Sequence, residues 1–273
     1  MRKLFLVIAL ASATLLVPVS ASSRGPDGTF EYHEDGRALA HSNAVIDVKG
    51  ATNVVMQTFV LEPGFNGLWS THPGDTLVVV KKGSLTTSPD CAGKEMWEAG
   101  HAYFLPAGSQ GHGDTLVRNE AKEPVELIVT FFDVPSDQAA GTVPASEAPA
   151  GGTCAPPGAL TPTELGRVLT YDADKLEIQA GKNIVVQSFV VEPKFNFFWH
   201  QHPGPTLVFQ NKGTITEYTN CTERELWEPG YAYIHTPGHH GQHQETAKNE
   251  GKDTAEFVVI FFNVPEWHPA PLV

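Results

Sequence analysis

The chain has 273 residues, 41% of them hydrophobic, with 18 Lys and Arg against 31 Asp and Glu for a net charge of −13. That acidic balance argues against nucleic acid or an anionic membrane surface as a partner. The length suffices for two cores of ordinary domain size.

Residues 1–21 read as a secretory signal. Arg2 and Lys3 form a charged start, Leu4 to Val17 an apolar stretch, and Val19-Ser20-Ala21 the small residues of a cleavage site, with a cut expected after Ala21. The stretch is short for a bilayer span of about 20 residues, and no later stretch is long enough. The expected product is secreted or extracytoplasmic, with no membrane partner after cleavage.

From there the chain repeats itself. Asn53 to Pro135 aligns without a gap on Asn183 to Pro265, at a constant offset of 130, the difference between the two starting positions. Roughly two positions in five are identical. Gly36-Arg37-Ala38-Leu39 and Gly166-Arg167-Val168-Leu169 extend the match upstream. The expected units are 30–135 and 163–265, joined by a Pro/Ala/Gly-rich linker at 136–162 and followed by a tail at 266–273. Each copy controls for the other: residues that both keep are read as fold, and residues that one keeps are candidates for chemistry.

Within a unit, short strands lie between turn signals. Val54 to Leu61 is strand-like and stops at Glu62-Pro63. Thr76 to Val80 is a β-branched run closed by Lys82-Gly83, with Leu85 to Thr87 beyond the turn. His101 to Leu105 follows Gly100 and stops at Pro106. Val125 to Phe132 is the longest apolar run and is expected to be a buried strand. No stretch shows helical apolar spacing with caps, so the prediction is all-β, with a closed or double-sheet barrel per unit.

Three cysteines in an exported chain suggest a disulfide. Cys91 and Cys221 are repeat equivalents, and Cys154 lies in the linker. Cys91–Cys154 is the expected pair, with Cys154–Cys221 as the alternative.

The second copy holds Trp199-His200-Gln201-His202-Pro203-Gly204. On a strand, positions i and i+2 face one side, so His200 and His202 are expected to aim two imidazoles into one interior. Neutral imidazoles suit Fe, Mn, Zn, Cu or Ni. His243 and Glu245 share a face by the same rule. The first copy has Ser70, Gly113 and Thr115 at the places of His200, His243 and Glu245. Only His72 persists, opposite His202, and His112 is one residue out of phase. His235 alternates onto the face of Tyr231 and Tyr233 and replaces Leu105, so it lines the pocket or sits in the core. His240, in a Gly-His-His-Gly loop, is either solvated or turned into the site. Phe197 and Phe198 replace Gly67 and Leu68 and are expected to dry the rim of the cavity. Trp97/Trp227 and Tyr103/Tyr233 occur in both copies and read mainly as architecture.

These residues resemble the two motifs of the cupin superfamily. The first is similar to His-x-His, a strand and the turn at Gly213. The second is similar to Gly230, a five-residue strand, Pro237-Gly238, and Asn249. With two such units the chain resembles a secreted bacterial bicupin. The resemblance implies two tandem double-stranded β-helix, or jelly-roll, barrels. It also brings departures. The family's Glu, four residues after the second His, is Thr206 here and Thr76 in the first copy. The family's second-motif His is Glu245, with His243 two residues before it. Two ligand sets stay open. One is His200, His202 and His243, with Glu245 as fourth ligand or beside the ion. The other is His200, His202 and Glu245, a two-His-one-carboxylate face suited to non-haem Fe(II).

The expectation is one divalent transition metal in the second unit and a small-molecule ligand or substrate. One reading is a metal-dependent oxidoreductase of dioxygenase type; the alternative is a non-catalytic metal- or small-ligand-binding protein. A third has the first barrel only supporting the second, or a homodimer. Oxalate-degrading bicupins use the Glu missing at Thr206, so that activity is not assigned, and no residue is singled out as catalytic.

Overall fold

The computed structural model describes residues 20–25, 28–69, 74–88, 94–106, 115–138, 140, 162–219, 223–235 and 245–266. Every regular element among them is a strand. The first half holds β1 (Ser20–Gly25), β2 (Gly28–Ala40), β3 (Ala44–Val48), β4 (Asn53–Leu61), β5 (Asn66–Trp69), β6 (Thr76–Lys82), β7 (Ser84–Ser88), β8 (Glu95–Glu98), β9 (His101–Leu105), β10 (Thr115–Arg118) and β11 (Val125–Val134). The second holds β12 (Thr163–Thr170), β13 (Asp174–Ile178), β14 (Asn183–Val191), β15 (Thr206–Lys212), β16 (Ile215–Thr219), β17 (Glu223–Trp227), β18 (Tyr231–His235), β19 (Glu245–Lys248) and β20 (Ala255–Val264). The strands read from the sequence recur here at the repeat spacing, β4 with β14, β6 with β15, β9 with β18 and β11 with β20.

Ten strands close into one ring in the order β2-β14-β20-β15-β18-β12-β4-β11-β6-β9. The ring shuts where β9 pairs parallel with β2, Leu39 opposite His101 and Ala40 opposite Ala102. β1 hangs on the outer edge of β2. A sheet β5-β10-β7-β8 belongs to the first repeat and β17-β16-β19 to the second, while β3 and β13 pair with each other.

The repeats are not laid end to end. Each gives its first strand to the other. β2 pairs along β14 from Leu39–Asn183 to Phe30–Val191. β12 pairs along β4 from Leu169–Asn53 to Thr163–Thr58. Strand pairing therefore crosses between the 30–135 and 163–265 units.

This arrangement explains why β4, β6, β11, β14, β15 and β20 read as near-continuous apolar runs rather than as alternating ones. They are buried on both faces. In β15, Leu207 and Phe209 enter a core shared by the two repeats, while Val208 faces the second repeat's own core. In β20, Val258, Ile260 and Phe262 take the shared side, and Phe257, Val259 and Phe261 the other. β6 and β11 divide in the same way, Leu77, Val79, Ile128 and Phe132 against Val78, Val80, Leu127, Val129 and Phe131. The molecule thus has a common core inside the ring and one private core per repeat, and the candidate site lies beside the second private core.

The turn leading into β15 allows no side chain. A Cβ on Gly204 would meet the carbonyl of Phe262 and lie 2.6 Å from the Cβ of Asn263; Gly74 meets Phe132 and Asp133 in the same way. Both obstacles belong to a central strand that cannot retreat. Gly204→Ala and Gly74→Ala are each expected to cost about 1–3 kcal/mol in urea unfolding, the range for overpacking. Only Gly204→Ala should also weaken metal binding, because Gly204 joins His202 to β15.

Candidate metal centre

The centre is assembled from three places in the second repeat. The first is the segment before β15. After Val191 the chain leaves regular strand, and it regains it only at Thr206. His200 is tied down by one isolated bridge, in which its N–H donates to the carbonyl of Glu245 at 2.9 Å and its carbonyl accepts from Glu245 N–H at 3.0 Å. His202, ahead of the Pro203-Gly204 turn, has no strand partner. The two imidazoles still meet, with centroids 4.8 Å apart and planes at 79°. They meet although 201–205 belongs to no regular strand, so the convergence expected of i and i+2 on a strand is reached by an irregular segment.

The second place is β19 with its neighbour β16. Cross-strand pairing puts Glu245 opposite Thr219 and Ala247 opposite Glu217. Glu217 alternates with Ile215 onto the private core and is 3% exposed. The third is the end of β18. Tyr233 enters the private core and His235, two residues on, shares its side, while Ala232 and Ile234 face the common core.

Distances define the cluster. His202 Nε2 lies 2.5 Å and His200 Nε2 3.8 Å from Glu245 Oε1. His235 Nδ1 lies 3.1 Å from Glu217 Oε1 and 3.4 Å from Glu245 Oε2. One ligand atom each from His200, His202 and Glu245 falls within 4.8 Å of the others. The cavity between them has a free volume of about 40 Å³ and is walled by Phe197, Val208, Trp227, Phe257, Val259 and Phe261, with Thr206 among its lining residues. That is room for an ion and a ligand of a few heavy atoms.

Electrostatics show that a cation fits. His200 Nδ1 donates to the carbonyl of Phe198 at 2.8 Å, which leaves the Nε2 lone pair facing Glu245. Burial, and then His202 nearby, hold the His200 pKa below its ordinary value, so the ring is neutral at pH 7. An imidazole lone pair and a carboxylate oxygen are both acceptors, so the space between them suits a cation or a donor such as water. His202 Nδ1 is buried without a partner among the described residues. Burial would raise the Glu245 pKa, but hydrogen bonds from His202 and His235 outweigh it and hold the carboxyl well below the usual range. Burial pushes Glu217 up, in part offset by its hydrogen bond with His235. Burial would pull His235 down, yet Glu217 and Glu245 together keep it well above its ordinary value.

Of the candidates read from the sequence, His200, His202, Glu245 and His235 come together at this cavity. Tyr233 does not line it; its hydroxyl accepts from Glu228 N–H at 2.6 Å and donates to the Leu226 carbonyl at 3.1 Å, pinning the β17–β18 turn. Phe198 is 87% exposed and off the cavity, and Phe197 takes the lining position instead. Neighbours along an extended segment point to opposite sides, and Phe197 is the one packed edge-on to Phe195. His243, His240, His72, Cys91, Cys154 and Cys221 lie outside the described residues, as do 141–161 of the linker and the segment before Ser20.

Glu217 is a site residue that the sequence reading missed. In the first repeat its place is Thr87, whose Oγ1 accepts from Trp97 Nε1 at 3.0 Å. With Glu217 there instead, Trp227 Nε1 is buried with no acceptor among the described residues. The first private core has Leu105 packed on it where the second has His235.

No family model matches the chain, and no curated protein matches it. Among solved structures, AerE from Microcystis aeruginosa is similar at 12% identity and TM-score 0.33, covering 89% of this chain and 97% of that one. Oxalate decarboxylase from Bacillus subtilis is similar at 13% identity and TM-score 0.37, over 86% of this chain and 76% of that one. No residue role passes to this chain from likenesses of that size.

Proposed function

We propose that the chain is an exported metal-dependent cupin enzyme, with one divalent transition-metal site in its second repeat. On this reading it is an oxidoreductase of dioxygenase type on a small organic substrate. The observation that carries the proposal is the convergence of His200 Nε2, His202 Nε2 and Glu245 Oε1 in an apolar cavity, with the His200 lone pair turned toward the carboxylate. Three protein ligands leave coordination positions open, and the mixed nitrogen and oxygen set suits Fe, Mn, Zn, Cu or Ni. The bicupin part rests on the repeat, on the matching strand orders β4-β11-β6-β9 and β14-β20-β15-β18, and on a second small sheet in each half. Export rests on the N-terminal sequence alone.

The chemistry such an ion supplies is polarisation of an oxygen ligand and, for Fe, Mn or Cu, one-electron exchange. The chain's own part follows from its geometry. His200 is fixed in one tautomer by the Phe198 carbonyl, so a single nitrogen is offered. Phe197, Val208, Phe257, Val259 and Phe261 exclude water and leave space only for a small substrate. Glu217 and His235 share a proton at Nδ1 beside the cavity, a group that a storage or purely structural site does not require. That pair favours an enzyme over the second reading, a metal- or ligand-binding protein without turnover.

Elemental analysis of protein purified without a metal-chelating tag is the test, with His200→Ala beside the wild type. Near-stoichiometric metal that disappears in the variant supports the site. A wild type that stays metal-free after supplementation with each of the five ions removes it. Oxygen uptake against small acids and phenols then separates turnover from binding alone.

A further inference from the structure

Four residues of the cavity are ionisable or metal-type in the second repeat where the first repeat has none: His200 for Ser70, Glu217 for Thr87, His235 for Leu105 and Glu245 for Thr115. They reach it from the segment before β15 and from β16, β18 and β19. Other one-sided changes, such as Lys194 for Gly64, lie away from it. His200 and Glu245 are explained by metal ligation, whereas Glu217 and His235 are not.

Their geometry is a chain. Glu245 turns Oε1 to the two histidine ligands and Oε2 to His235 Nδ1, at 3.4 Å. The same Nδ1 lies 3.1 Å from Oε1 of Glu217, which is 3% exposed and fixed by strand pairing on both sides of β16. We propose that Glu217 and His235 are positioning residues of the metal site: Glu217 holds the His235 ring, and His235 holds Oε2 of Glu245 so that Oε1 stays turned toward His200 and His202. The inference rests on the metal reading above and adds to it the groups that set the ligand geometry. A glutamate has three side-chain torsions, and freezing them carries an entropic cost. A carboxylate already held by an outer partner has met that cost before the ion arrives.

Two other roles fit less well. As a direct ligand, His235 would have to join the ligand atoms that converge, and those within 4.8 Å of one another come from His200, His202 and Glu245. As part of a second metal site with Glu217 and Glu225, it would draw on Glu225, which is exposed and is matched by Glu95 in the first repeat, so it does not belong to the second-repeat set.

The first repeat supplies the test substitutions, since its fold is built with Leu and Thr at these places. Metal-free wild type, His235→Leu, Glu217→Thr and Glu217→Gln are titrated with Co²⁺ in competition with a chelating dye. Visible absorption reads the coordination, and thermal unfolding of the metal-free forms checks the fold. The expected result is one Co²⁺ per chain throughout. Affinity should fall roughly 10- to 100-fold in His235→Leu and Glu217→Thr, the effect of losing an outer partner. Glu217→Gln, whose carbonyl still accepts from His235, should recover much of it, and the bands should keep the same coordination number. Wild-type affinity in both His235→Leu and Glu217→Thr overturns the inference. So does a changed coordination number in His235→Leu, which would make His235 a ligand, or two ions per wild-type chain. A wild type that binds no Co²⁺ removes the metal reading itself, an outcome distinct from these.

Discussion

Glu245→Thr is expected to abolish tight metal binding, with a loss well beyond 100-fold. Thr is the residue at the equivalent place in the first repeat, Thr115, so the β19 backbone should tolerate it. Glu245 is the residue that touches all three histidines of the cavity. Its Oε1 meets both imidazole Nε2 atoms, its Oε2 meets His235, and its backbone holds His200 by two hydrogen bonds. The substitution keeps the backbone bonds and removes only the carboxylate. Two nitrogen ligands would then remain without the negative charge that lets an apolar cavity accept a dication. Outer-partner losses alone reach about 100-fold, so loss of a ligating carboxylate must exceed that. Competition against a chelating dye measures the change. The His235–Glu217 pair survives, so stability should fall far less than binding. A variant that binds as tightly as wild type would mean that the ligand set lies elsewhere.

The strands were legible because double-sided burial leaves a strong signal. Val125 to Phe132 reads as one apolar run, and the structure divides it residue by residue between two cores. The exchange of first strands was not legible. Gly36-Arg37-Ala38-Leu39 and Gly166-Arg167-Val168-Leu169 are near copies, so nothing local tells β2 to pair with β14 rather than β4. That choice is made by the shared core, which exists only after both halves meet. The histidine pair was visible from spacing, although the reason given for its convergence assumed a regular strand where 201–205 is irregular. Glu217 escaped because an acidic residue on a short strand ordinarily faces water. The signal lay in the repeat: Thr87 against Glu217 is the same kind of one-sided difference as Leu105 against His235, and comparing every aligned pair for gained charge would have found it.

Residues 162–266 alone should not fold, even though they contain every ligand described for the site. β14 would lose β2 along its whole length, from Asn183–Leu39 to Val191–Phe30, and would become an exposed apolar edge. The common core would also open: Val186, Leu207, Phe209, Ile260 and Phe262, each 1% exposed or less, would lose the facing side chains of the first repeat. At roughly 1.5–3 kcal/mol for each side chain, that loss is comparable with the 5–15 kcal/mol that holds a typical domain together. Phe30 and Tyr32 of β2 also pack on the second private core, so the first half contributes directly to the wall behind the metal site. The expected result for the isolated half is aggregation or an unfolded circular-dichroism spectrum, with no stoichiometric metal. Supplying residues 20–138 as a separate chain during refolding should restore one compact particle and one ion, because the two pieces are joined by strand pairing and packing rather than by the linker. Cleaving the intact protein within 141–161 should for the same reason leave both fragments together on size exclusion. An isolated second half that folds and binds metal with full affinity would show that the exchanged strands are dispensable and that the site is the property of one repeat.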